Sequence, residues 1–80
     1  MDYQKTENEI IEATKEFATI NNIHYDELTE SMITNAVREL NKCFISHVSY
    51  PVAQQYAEFC VRCDREKLPL IKIEDYLKQL

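Results

Sequence analysis

The sequence predicts an all-α fold, a small bundle of four helices at about 7–20, 31–49, 51–66 and 73–79, with a short helical turn near 25–28. Three observations carry this. Apolar residues recur at spacings of three and four through each longer segment, the period of a helix with one packed face. The 80-residue chain contains no glycine, which disfavours the tight primed turns that join hairpin strands. The breaks in the pattern fall at Asn21-Asn22, Pro51 and Pro69, residue types that stop helices. A chain this short buries only roughly 60% of its unfolded surface, so one modest core is expected. Residues 1–5 read as a frayed tail and 6–80 as a single helical domain.

Helix one follows Thr6-Glu7-Asn8-Glu9, which matches a capping box with Thr6 and Glu9 as the reciprocal pair. Its inner stripe is Ile10, Ala13, Thr14, Phe17 and Ile20, with Ile11 and Ala18 at the edge. Asn21-Asn22 supplies a left-handed stop. Leu28 would lie ~140° from Ile33 if it continued the second helix backwards. A separate turn around Tyr25 to Leu28 is therefore preferred, with Thr29 or Ser31 capping a fresh start. Helix two carries Met32, Ile33, Ala36, Val37, Leu40, Cys43, Phe44 and Val48 on one broad stripe, around which the rest of the core should assemble. Pro51 ends it at about Ser49 and suits the first turn of helix three. Val52, Tyr56, Phe59, Cys60 and Cys63 form the stripe of helix three. Pro69 stops that helix and leaves Leu68 and Leu70 to lie across the open end of the core. A last helix uses Ile73, Tyr76, Leu77 and Leu80.

Charge is unevenly placed. Residues 1–30 hold eight acids against Lys5 and Lys15, a balance of −6 within a net charge of −5. That argues against direct binding to nucleic acid, which needs clustered cations. A helix-turn-helix reading of Phe17 to Leu40 fails for the same reason, since the helix that would enter the groove carries Arg38 as its only cation ahead of Lys42. No run of apolar residues is long enough for a membrane-spanning helix. Three cysteines, an odd number, fit a reducing compartment and a cytoplasmic protein.

Four side chains invite a metal reading: Cys43 and His47 on helix two, Cys60 and Cys63 on helix three. Sulfur and imidazole are zinc ligands. In an antiparallel hairpin, however, they would spread over ~15 Å at ~1.5 Å per residue, too far for bonds of ~2.0–2.3 Å. Buried core cysteines are the favoured reading. Cys60-Val61-Arg62-Cys63 also resembles a redox spacing, but it lies toward a helix C-terminus, where the dipole opposes a thiolate. His47 sits on an apolar stripe, and the other histidine, His24, lies in a different segment. No catalytic residue and no cofactor is assigned.

The function expected on this reading is a non-catalytic protein-interaction or regulatory module, with homodimerisation as one form of it. The acidic residues Glu9, Glu12 and Glu16 are one candidate partner surface. The other is a face on which Ile45 lies ~120° from Ile33 and Ala57 and Val61 point away from the inner stripe, with Leu28 near them. Two alternatives stand beside it: a zinc- or thiol-dependent regulator built on Cys43, His47, Cys60 and Cys63, and an acidic mimic of nucleic acid that blocks a DNA- or RNA-binding protein.

Overall fold

A computed structural model describes residues 3–42 and 48–80. Among the described residues four helices, α1 (Tyr3–Ile20), α2 (Glu30–Lys42), α3 (Tyr50–Glu66) and α4 (Ile73–Leu77), follow one another, with a 3₁₀ turn at Tyr25–Glu27 between α1 and α2. No strand occurs among the described residues. The Cα radius of gyration is 11.7 Å, close to the ~11.6 Å that chain-length scaling gives for 80 residues. With extents of 34 × 30 × 17 Å, the helices spread as a thick slab.

Among the described residues, two left-handed positions end helices. Asn22 has φ 56°, and the N–H groups of Asn22 and Ile23 donate to the carbonyls of Thr19 and Ala18. This is a Schellman stop at the predicted asparagine pair. Lys67 closes α3 in the same way at φ 58°, with the Leu68 N–H on the Cys63 carbonyl at 2.9 Å. A lysine takes the position because the chain offers no glycine there and the side chain stays in water.

Thr29 starts α2 as expected: its hydroxyl accepts the N–H of Met32, and its carbonyl accepts that of Ile33. The far end of that helix differs from expectation. Val48 is in a bend and Ser49 is the extended N-cap of α3, so α2 does not reach Ser49. Tyr50, which the following Pro51 disfavours in the helical region, is nevertheless the first residue of α3. Phe44 lies outside the described residues.

The core also differs in orientation. In α1 the buried positions are Thr6, Glu7, Ile10, Thr14 and Ala18. The stripe is thus turned by ~50° from the expected one, at ~100° per residue. Ala18 is central and Ile20 is 73% exposed. Thr6 forms no N-cap, because α1 begins at Tyr3 and Thr6 is a full turn inside it. In α3 the buried set runs from Cys63 round through Tyr56, Cys60, Ala53 and Ala57 to Val61. That is a band ~160° wide, because α3 packs on α1, on α2 and on the 3₁₀ turn at once. Val37 in α2 is fully buried, and Ile33 and Ala36 nearly so.

Polar side chains tie the ends together. Glu7 Oε1 accepts the Ile73 N–H at 2.8 Å, and the Tyr56 hydroxyl shares its proton between Glu7 Oε1 at 3.1 Å and the Ile71 carbonyl at 2.8 Å. Arg65 donates from Nε to the Asp26 carbonyl at 2.9 Å and from Nη2 to the Leu28 carbonyl at 3.1 Å. The 3₁₀ turn is thereby pinned to α3. Gln54 on α3 donates to the Thr34 hydroxyl on α2. Leu68 and Leu70, expected to lid the core, are 52% and 47% exposed, because Lys67 turns the chain outward before it returns at Ile71.

Candidate interaction groove

Rotation of the α1 stripe has a direct consequence. The apolar surface of α1 is wider than its neighbours cover, and the uncovered edge holds Ala13, Phe17 and Ile20. On the facing helix stand Ala36 and Leu40. Together these five residues wall an open groove of about 290 Å³ between α1 and α2. Glu16 and Glu39, one from each helix, complete its lining. Phe17 and Leu40 are half-buried and pack against the core, while Ile20 projects into solvent. An apolar trough with a carboxylate from each wall suits the apolar face of a helix flanked by cations.

The residues expected to carry function fall in different places. Glu12 and Glu16 are exposed on α1, while Glu9 is half-buried. The Oε2 atom of Glu9 is buried and makes no hydrogen bond among the described residues. Leu28, Ala57 and Val61 were expected on an outward apolar face; they are 1%, 0% and 1% exposed and belong to the core. The cause is the third neighbour of α3: the 3₁₀ turn folds Leu28 back over the side of the helix that carries Val61. Ile45, Cys43 and His47 lie outside the described residues, so neither the Ile45 face nor the four-ligand zinc arrangement is described. Among the described residues, no group of three or more His, Cys, Asp or Glu side chains is placed to hold a metal.

The stripe read from the sequence hides the groove, because it places Ile20 on the inner face. The available signal was width: Ile10, Ile11, Ala13, Phe17, Ala18 and Ile20 cover more of α1 than one packed face needs.

The thiols are poorly suited to nucleophilic work. Cys60 and Cys63 are free and buried. Burial pushes the Cys60 thiol up to about 12, and burial likewise raises Cys63. Burial also holds the Tyr56 hydroxyl protonated far into the alkaline range, the neighbouring Cys60 and Glu7 adding to the effect. Tyr25 is raised to about 12, again by burial, which outweighs its contact with the Thr14 hydroxyl at 3.4 Å.

A second, more open cleft of about 540 Å³ lies over the other side of α3, with Phe59, Tyr76, Glu30, Glu58, Arg62 and Arg65 in its lining. Partial burial raises the Glu58 carboxyl, and the charge of Glu30 raises it further. Both signs of charge line this cleft, and Arg62 lies over the Phe59 ring at 5.7 Å. Arg65 is already committed to the 3₁₀ turn.

No protein-family model, curated protein or solved structure matches the chain. What the groove takes is therefore read from its residues alone. No helix among the described residues is long and apolar enough to cross a membrane.

Proposed function

We propose that the protein is a non-catalytic interaction module whose α1–α2 groove receives an amphipathic helix with basic flanks, supplied by another protein. The observation that carries this is Ile20, 73% exposed at the lip of an apolar trough lined by a glutamate from each helix. An exposed isoleucine alone is ordinary. Here it is continuous with Phe17 and Leu40, and Glu12 and Glu16 extend the negative edge along α1. Such a surface rewards leucine-type anchors at helical spacing and lysine or arginine beside them. The same charge disfavours a second copy as occupant, because pairing two grooves would bring two sets of glutamates together. The free thiols of Cys60 and Cys63 fit a cytoplasmic setting for this role.

Calorimetric titration with two synthetic peptides tests the reading. Both carry leucines at i, i+3, i+4 and i+7; one has lysines on the flanks and the other glutamates. The lysine peptide should bind saturably and the glutamate peptide should not. Ile20→Lys, a change at an exposed position that leaves the core intact, should abolish binding. Equal binding of both peptides, or binding insensitive to Ile20→Lys, overturns the proposal. Self-association that competes with the lysine peptide would assign the groove to a second copy instead.

A further inference from the structure

We infer that Cys60 and Cys63 form a two-sulfur site for a soft, thiophilic cation, copper(I), near the C-terminal end of α3. The site is separate from the groove and independent of its occupant. Both cysteines line one cleft of about 190 Å³, whose walls include Ile11, Tyr25, Leu68 and Leu70. Neither is in a disulfide.

The helix itself limits what can join the two sulfurs. Residues three apart on an α-helix hold their Cβ atoms ~5–6 Å apart. A disulfide needs ~3.5–4.5 Å between them, so oxidation would have to unwind the turn. A bridging ion removes the conflict, since two metal–sulfur bonds of ~2.3 Å span up to ~4.6 Å between sulfurs. Thiolates are soft ligands and select copper(I) and zinc over harder ions. Structural zinc asks for four ligands, and the described residues bring no third ligand to the pair. Copper(I) is satisfied by two in line.

Burial opposes a bare thiolate at Cys60, while the hydrogen bond with the Tyr56 side chain and the charge of Lys15 work the other way. Lys15 is part of the cleft lining, with its ammonium 5.7 Å from the Tyr25 ring centroid, and its charge favours a thiolate at Cys60; Asp64, also in the lining, carries the opposite charge. Leu68 and Leu70, in an irregular and half-exposed segment, complete the apolar part of the lining. As each S–Cu bond forms, the S–H bond breaks and its proton leaves to solvent; no electron is transferred. Burial keeps both thiols protonated until an ion arrives, which also protects them from adventitious oxidation.

The test is an anaerobic titration of the reduced full chain with copper(I), in competition with a chromophoric copper(I) chelator. One ion per chain should transfer to the protein, with a sulfur-to-copper charge-transfer band in the ultraviolet. Cys60→Ser and Cys63→Ser should each lose this competition, and Cys43→Ser should retain it, with far-ultraviolet dichroism reporting that the variants fold. Failure of the wild-type chain to take copper from the chelator overturns the proposal whatever the variants do. So does loss of binding in Cys43→Ser, which would move the site elsewhere. Neither result bears on the groove.

Discussion

Glu7 Oε1 accepts the backbone N–H of Ile73 at 2.8 Å, so an acid of the first helix caps the last one. The same carboxylate accepts from Gln4 Nε2 through its other oxygen, at 3.0 Å, and meets the Tyr56 hydroxyl. One side chain thus joins α1, α3 and α4. A negative charge at a helix N-terminus is favourable, and α4 is too short to persist without such anchoring. Glu7→Ala strands a buried N–H and should destabilise the protein by about 2–3 kcal/mol. Glu7→Gln, which keeps one acceptor, should lose less. Urea denaturation gives the totals. Hydrogen exchange should quicken first at residues 73–77 rather than in α2.

Arg65 holds the 3₁₀ turn by two backbone carbonyls. Lysine keeps the charge but cannot present the guanidinium fork. Arg65→Lys should therefore behave almost like Arg65→Ala, each losing about 1 kcal/mol in thermal or urea unfolding. If lysine restores wild-type stability, charge rather than geometry anchors the turn.

Leu28 and Val61 mark the limit of what the sequence disclosed. Helix existence, the Asn22 stop and the Thr29 start were all legible, because each depends on residues close in the chain. Which way a helix is rolled depends on what lands on it. Ala53 and Ala57 offer little bulk to a stripe count, yet both are fully buried in the core. The 3₁₀ turn then covers Val61, and no local spacing announces a contact made by Leu28 from more than thirty positions away. Leu28→Ala should destabilise by about 2–5 kcal/mol, the range for a fully buried leucine. A loss under about 0.5 kcal/mol, typical of a surface site, would return Leu28 to the exterior.

Alkaline pH should weaken the fold. The Cys60 thiol and the Tyr25 phenol are both raised to about 12 in the folded chain, from 9.0 and 10.0. Below those lower values both groups are protonated in either state and their contribution is fully present. Between them and about 12 the unfolded chain has released protons that the folded chain keeps. Stability therefore falls with rising pH across that window. Denaturant midpoints from pH 8 to 12 check this, and Cys60→Ala should flatten the lower half of the curve. Glu58 shifts in the same direction, so Glu58→Gln should stabilise slightly at neutral pH and not in acid.

The trough between α1 and α2 is the proposed seat of a partner. Amide and methyl chemical shifts of the labelled protein, followed during addition of the lysine-flanked helical peptide, test it most directly. Saturable changes should concentrate at Phe17, Ile20, Ala36 and Leu40 and be absent in Ile20→Lys. Changes centred instead on Phe59, Arg62 and Tyr76 would contradict it.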